Sequence, residues 1–471
     1  MSLQERYTMP RKMTFIVTDL GGGDGGKGGV VHKICTMKKA HTVIKVGGAQ
    51  GSHGVQTANG QLFNFTHFGC GTLEGVRTHI SRAMVIDPHA LVYEGKLLKY
   101  AHGIRNIFDL LTVDEDALCV TPFHRMASQL RELARKDNPK GTVGTGVGEA
   151  VVDAGRFPDL AILVRDIGSP KLHNVLESVR EQKLHDLAAI IADIGNFLES
   201  DQGLAQLLVT SLRSPGFVDA TIQGFREMVS LVNVVDTGYI GEIFSRDSTV
   251  VVECSHGILT DRYHGFHPHT TRLRTVPRVV LNMIDMCGYE GDVVRLGITR
   301  AYQIRHGAGP MVTECPEMLE NLLPGSHKEN NRWQGSVRVG PLDFVALRYA
   351  IEACGGPEAF DGLAVTWFDQ VRVNGKWYVC DGYRGAGDSE FFLPNGEIKI
   401  RRGADEKQLE HQNRLGNLLR TCRPNITSYD VPTGMSEDDL AEFCAGVMEE
   451  KLHVPVRMVS LGPTENDKVL L

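Results

Sequence analysis

Short apolar runs alternate with longer stretches of helical periodicity along most of this chain, the pattern of an α/β fold built on a parallel sheet. Thr14-Phe15-Ile16-Val17 predicts a first buried strand, and Val30-Val31-His32-Lys33-Ile34-Cys35 predicts the helix that follows it. A second strand is predicted at Thr42-Val43-Ile44-Lys45-Val46. Val55-Gln56-Thr57-Ala58 and Gln61-Leu62-Phe63-Asn64 flank Asn59-Gly60, a two-residue hairpin signal. Ala83-Met84-Val85-Ile86 meets Asp87-Pro88, an N-cap followed by proline at the first helical position, so a helix is expected from there to about Ala101, with Gly103 as its stop. Residues 170–240 read as several helices. Thr249-Val250-Val251-Val252 and Leu363-Ala364-Val365-Thr366 predict further buried strands. There is no internal repeat, low-complexity tract or linker, so a single large domain over 13–471 is expected behind a short tail, 1–12.

The glycine-rich segments fall at the ends of predicted strands, where open α/β sheets bind ligands. Between the first strand and helix lies DLGGGDGGKGG, Asp19 to Gly29. Strand, glycine loop, helix is a setting in which backbone N–H groups and a helix N-terminus cradle phosphate. Gly21 to Lys27 fits the first seven positions of the P-loop pattern, but Gly28 stands where a P-loop has the Ser or Thr that holds magnesium. The loop also carries an acid, Asp24, which on its residue type alone is a cap for the following helix or a base aimed at a ligand.

Composition narrows the field. The 471 residues are 42% hydrophobic and 23% charged, the balance of a soluble globular protein, with a formal charge of -7. That excess of acid argues against nucleic acid as a partner. No apolar run approaches the ~20 residues of a membrane helix. The polar start MSLQERYTMPRK lacks the apolar core of a secretory signal, and ten cysteines without a C-x-x-C pair suggest reduced thiols and a cytoplasmic location.

Eight segments, in order, resemble motifs of the adenylosuccinate synthetase family. Its G-D-E-G-K-G-K corresponds to Gly23-Asp24-Gly25-Gly26-Lys27-Gly28-Gly29, and its G-G-x-N-A-G-H-T to Gly47-Gly48-Ala49-Gln50-Gly51-Ser52-His53-Gly54. Ile86-Asp87-Pro88-His89-Ala90-Leu91 is similar to V-D-P-x-x-L, and the loop from Gly141 to Glu149 to G-T-T-G-R-G-I-G-P. Glu253-Cys254-Ser255-His256-Gly257 stands for E-G-A-Q-G, and Arg305-His306-Gly307-Ala308-Gly309-Pro310 for R-V-G-A-G-P. Thr366-Trp367-Phe368-Asp369 stands for T-K-L-D, and Val454 to Pro463 for the closing V-P-x-x-x-x-S-x-G-P.

The resemblance implies a P-loop-like GTP-binding architecture, a cytoplasmic homodimer, Mg2+ as cofactor and GTP as co-substrate. It implies a purine-biosynthesis ligase that phosphorylates the 6-oxygen of IMP and lets aspartate displace the phosphate. Asp24 then matches the base that takes the purine N1 proton and a magnesium ligand; His53 matches the histidine assisting phosphoryl transfer. Lys27 with Gly25, Gly26 and Gly28 would hold the phosphates, and the main-chain carbonyl of Ser52 would meet the metal. Asp369 would read guanine, with Trp367 stacking on the base or simply packing in the fold, and with Ser460, Gly462 and Pro463 beside it. Gln50, Thr142, Val143, His256, Thr271 and His306 would line the acceptor nucleotide, and Arg156 would reach a partner subunit's. Arg332 and Arg338 would bind the amino acid.

The departures concentrate on the acceptor side. His256 replaces a glutamine, His306 a valine, Gln50 an asparagine and Val143 a threonine, and the arginine-rich aspartate loop retains Arg338 with Arg332 as a substitute. Two alternatives therefore stand beside the named reaction: a ligase using another oxo-purine nucleotide such as dGMP, or another amine, and a nucleotide-binding relative without turnover. The histidines His256, His264, His267 and His269 also admit a zinc reading beside that of pocket lining.

Overall fold

The computed structural model describes residues 12–324, 332–431 and 434–471. Nearly all of the expected tail, residues 1–11, lies outside the described residues.

An 11-stranded sheet organises the molecule. From one edge to the other the strands are Lys468–Leu470, Val456–Ser460, Gly362–Thr366, Asp292–Arg300, Met13–Asp19, Thr249–Gly257, Thr42–Gly48, Arg77–Ile86, Leu111–Asp114 and Asn233–Val235, with Leu118–Cys119 paired off the Arg77–Ile86 strand. Every pairing is parallel except the one between Val456–Ser460 and Lys468–Leu470. Met13–Asp19 is buried on both faces, Phe15 and Val17 entering one core cluster and Ile16 another. That explains its unbroken apolar run, since helices cover both sides of such a sheet. A fully buried side chain such as Phe15 contributes about 1.5–3 kcal/mol.

Each strand predicted from an apolar run is present and longer at one or both ends. Pro88–Ala101 forms the expected helix, with Asp87 Oδ1 accepting from the N–H groups of His89 and Ala90, both at 3.1 Å. Leu172–Asp186, Glu199–Arg213 and Gly216–Leu231 are the main helices of the third quarter, packed on the core through Leu176, Val209 and Phe225. The edge strand Asn233–Val235 beyond them was too short to predict. The hairpin differs in its turn. His53–Gln56 pairs with Leu62–Phe65, and the connection runs from Thr57 to Gln61 because Thr57 N–H donates to the Gln61 carbonyl at 2.9 Å. Gly60 takes the left-handed conformation that this wider turn needs, at φ 87.

Asp19, Gly48, Gly257, Arg300, Thr366 and Ser460 end six neighbouring parallel strands. Their loops meet on one side of the sheet, at the carboxyl ends, where this architecture binds ligands. Among the described residues no helix is long and apolar enough to cross a membrane.

Candidate active site

A cavity of about 870 Å³ opens at those strand ends. Its first wall is the glycine loop, wound around the carboxylate of Asp19. Asp19 Oδ1 accepts from Gly21 N–H at 2.8 Å, and Oδ2 from Gly25 N–H at 2.8 Å and Lys27 Nζ at 2.7 Å. Glycine is obligatory where backbones touch: a Cβ on Gly28 would stand 2.2 Å from the Gly54 carbonyl oxygen. Gly26, at φ 87, precedes the helix Lys27–Lys38, and no side chain caps that helix. Its N-terminal dipole and amides face the cavity, with Lys27 beside them. Gly25 does not join them. Its N–H donates to Asp19 and its carbonyl accepts from Thr366 Oγ1, at 2.7 Å, and it does not line the cavity.

Asp24 is not a helix cap. It sits at φ 59, and its Oδ2 lies 2.8 Å from His306 Nε2, while Arg300 Nε donates to its carbonyl at 2.6 Å. The carboxylate is therefore turned from the helix toward the acceptor side. Asp24 and Ser52 both line the cavity, and a carboxylate with a main-chain carbonyl is the oxygen donor set that Mg2+ prefers.

The opposite wall carries His53, at the start of the hairpin. Its Nδ1 lies 2.5 Å from Glu253 Oε1, which also takes Lys45 Nζ at 2.6 Å, while Oε2 accepts from Cys70 N–H at 2.9 Å. Burial alone would raise the Glu253 carboxyl, but the Lys45 ammonium and His53 outweigh it and hold it well below its usual range. An acceptor-only carboxylate places the proton of His53 on Nδ1 and orients Nε2. Burial pulls the imidazole down, against the bond to Glu253, which favours its charged form. His53, Cys70 and Glu253 are close enough to share a metal ion. Lys45 already neutralises the carboxylate, and burial raises the Cys70 thiol well above its ordinary value, so this group fits a closed ion pair better.

On the acceptor side, Gln50, Thr142, Val143, His256, Thr271 and His306 all line the cavity. Gln50 Nε2 reaches Thr271 Oγ1 at 3.4 Å. Burial, reinforced by Lys27 and His53, pushes His256 down to about 3, so it is neutral at working pH. Its Nε2 is buried, with no hydrogen-bond partner among the described residues. On the donor side Gly26, Gly28, Trp367, Asp369, Ser460, Gly462 and Pro463 line the same space. Arg300 stacks on the Trp367 ring at 4.2 Å, so one indole face is occupied by a cation.

Besides Gly25, three expected residues stand elsewhere. Arg332 pairs with Asp201 at 2.8 Å, and Arg338 with Glu314 at 2.7 Å and the Gly309 carbonyl at 2.6 Å; neither lines the cavity. Each has found a carboxylate nearer than the pocket. Arg156 ends the helix Val147–Arg156 with its guanidinium over Phe157, also outside the cavity. The histidine segment does not converge: His267 Nε2 meets the Arg262 carbonyl at 2.6 Å, His269 Nδ1 the Lys140 carbonyl at 2.9 Å, and His264 is buried with its N–H on Asp261.

Asp19, Lys45, Glu253, Arg300, Arg305, Lys140 and Lys468 shape this site without having been singled out. Lys45 inside one apolar strand and Glu253 directly after the apolar run of another were the available signals, because two opposite charges in buried strands demand each other.

A family model described as adenylosuccinate synthetase matches residues 16–469. The chain is 28% identical over 467 residues to the adenylosuccinate synthetase of Thioalkalivibrio sulfidiphilus, covering 95% of this chain and 96% of that one. It is 27% identical over 456 residues to that of Myxococcus xanthus, with coverage of 95% and 96%. The fully ligated adenylosuccinate synthetase structure from Plasmodium falciparum superposes with a TM-score of 0.73 over 97% of this chain and 99% of that one, at 16% identity. The cyanophage S-2L succinoaminodeoxyadenylate synthetase, bound to dGMP and dATP as energy donor, superposes with a TM-score of 0.58 at 16% identity, over 98% and 95%. At that identity the two structures show the fold alone.

Proposed function

The chain belongs to the adenylosuccinate synthetase family, and from that premise we propose that it uses GTP to phosphorylate the 6-oxygen of IMP and then joins aspartate at the same carbon. It is a ligase of this type with GTP as co-substrate; the acceptor and the amine are the proposed part. The observation that supports the reading best is the convergence of Asp24 and the Glu253-backed His53 on one cavity.

In this mechanism Asp24 takes the N1 proton of the purine, and O6 attacks the γ-phosphorus of GTP as GDP leaves. His306, bonded to Asp24, holds the carboxylate toward the acceptor. His53 supports the phosphates as negative charge builds, with Glu253 favouring its protonated form. Lys27 exchanges Asp19 for the transferring phosphoryl group. The amine nitrogen then attacks C6, the phosphate leaves with the C–O bond, and the amine loses a proton. Asp24 and the Ser52 carbonyl would hold Mg2+, which when bound neutralises phosphate charge. Neutral His256 offers the purine one ring N–H or one lone pair, as a glutamine side chain would. We place the enzyme in the cytoplasm as a homodimer, a reading in keeping with Arg156 at the surface and outside its own cavity.

A second reading, another oxo-purine nucleotide such as dGMP or another amine, is favoured by His256, His306, Gln50 and Val143 in the acceptor wall. Phosphate release from GTP and Mg2+, with IMP and aspartate each added or omitted, separates the cases. Release requiring both supports the named reaction, and Asp24→Asn is then expected to cut it by about 10²–10⁴-fold. Release with IMP alone indicates a different amine. Release only with dGMP selects the second reading, and binding of GTP without release under any mixture indicates a relative without turnover.

A further inference from the structure

Asp24 belongs to the glycine loop and Trp367 to the donor wall, and one side chain, Arg300, touches both. Arg300 is 4% exposed and ends the strand Asp292–Arg300. Its Nε donates to the Asp24 carbonyl at 2.6 Å, its Nη1 donates to Tyr302 Oη at 2.8 Å, and its guanidinium lies 4.2 Å from the centre of the Trp367 ring. On the neighbouring strand Arg300 is in register with Thr366, whose Oγ1 donates to the Gly25 carbonyl at 2.7 Å. Two adjoining strand ends therefore hold two consecutive carbonyls of the glycine loop. The backbone there needs holding. Six non-glycine residues among the described ones take positive φ, and the three that line the cavity are Asp24 at 59, Trp367 at 61 and His256 at 63. That conformation is strained for a residue with a Cβ, and it persists only where the surroundings enforce it.

We propose that Arg300 is a positioning residue that ties the donor wall to the base: the guanidinium that supports the Trp367 indole also sets the aim of the Asp24 carboxylate. The inference rests on the ligase reading above and adds to it a residue that acts through Asp24. The direction of the Asp24 carbonyl fixes ψ of that residue, and φ and ψ together fix where its Cβ points. A bond to the carbonyl therefore governs the carboxylate, with His306 Nε2, 2.8 Å from Oδ2, as the second tie. On the donor side, the attraction of a cation for a ring face holds the indole in place. Arginine suits both tasks at once, because its guanidinium has donors at the edge and a plane that stacks. With Nε and Nη1 bonded to protein oxygens and the cation set over an indole, the side chain is a strut between two walls rather than an anchor for a ligand.

The test compares the full chain with Arg300→Lys and Arg300→Met in phosphate release, varying GTP, IMP and aspartate in turn, and repeats Arg300→Met in an Asp24→Asn background. Arg300→Met is expected to lower kcat about 10- to 100-fold, the size of one hydrogen bond from a charged donor. It is expected to raise KM for GTP about 3- to 10-fold, the size of a cation–π contact, with KM for IMP and aspartate within about threefold. Arg300→Lys keeps a donor without the planar face, so it is expected to regain most of kcat and little of the affinity for GTP. In the Asp24→Asn background Arg300→Met is expected to lower kcat by less than about threefold, because the base through which it acts has gone. Hydrogen–deuterium exchange is read alongside on the unliganded proteins. Arg300→Met is expected to speed exchange in peptides covering residues 20–28 and 366–370 and to leave the rest of the sheet at the parent rate. An equal fall of kcat in both backgrounds overturns the proposal, and so does a raised KM for GTP at parent kcat, the mark of a direct GTP contact. Faster exchange throughout the sheet with a lower Tm also overturns it, the mark of a structural role. If the parent chain releases no phosphate with any nucleotide and amine, the ligase reading fails separately, and exchange decides: faster exchange confined to those two peptides upholds the tie between them, and exchange at the parent rate overturns it.

Discussion

Replacing Glu253 by glutamine separates what this side chain does for the fold from what it does for catalysis. Both carboxylate oxygens face donors: His53 Nδ1 at 2.5 Å and Lys45 Nζ at 2.6 Å on Oε1, and Cys70 N–H at 2.9 Å on Oε2. An amide has one acceptor oxygen, so Glu253→Gln must turn its NH₂ group against a donor in either orientation. Lys45, 1% exposed, is then a buried cation without its anion, which costs about 3–5 kcal/mol. Against a total stability of about 5–15 kcal/mol, that loss is measurable by urea unfolding and leaves the protein folded at low temperature. The catalytic effect is bounded by what His53 itself supplies, one oriented donor toward the phosphates, about 10²–10³ in kcat. Glu253→Gln combined with Lys45→Met removes the stranded charge. It is expected to recover stability to within about 1 kcal/mol of the parent while kcat stays low. The reasoning is refuted if Glu253→Gln keeps kcat near the parent value in the folded state, or if the double variant regains it.

Two further outcomes depend on pH. Burial pushes Lys468, on the GTP side of the cavity, down to about 8; a bound triphosphate raises it again. GTP binding at pH 8.5 should therefore take up about 0.5–0.8 proton, read by calorimetry in buffers of different ionisation heat, and affinity should fall as pH rises through the bound-state pKa. Lys468→Met should lose that uptake; uptake unchanged in this variant rules the assignment out. Burial also lowers His79 to about 4, with Nδ1 on Thr112 Oγ1 at 3.0 Å and Nε2 without a partner among the described residues. The unfolded chain then binds the proton more readily than the folded one. Stability from this group is complete above pH 6.5 and falls by about 3 kcal/mol on going to pH 4. His79→Gln should flatten that slope in urea midpoints, and an equal slope in the two proteins would sink the argument.

Much of this protein was determined by its sequence alone. Apolar runs such as Phe15-Ile16-Val17 can be buried only on both faces of a sheet, and the helix after Asp87-Pro88 starts where a local cap and a preset φ require it. The glycine loop was equally legible, because close backbone approach, as between Gly28 and Gly54, demands a residue without a side chain. These are constraints of short range, written in neighbouring positions. The partners of charge were decided by tertiary structure. Asp24 is linked to His306 and Glu253 to Lys45 and His53, partners 200 or more residues apart, while Arg332 and Arg338 find Asp201 and Glu314 instead of the pocket. A motif states that a charge is present but not which opposite charge is nearest once the strands are side by side. Arg305 shows this most plainly, because its burial beside Arg338 and Arg420, with no carboxylate paired to it among the described residues, exists only in the folded chain. Electrostatic energy depends on distance and solvent exclusion, and folding creates both.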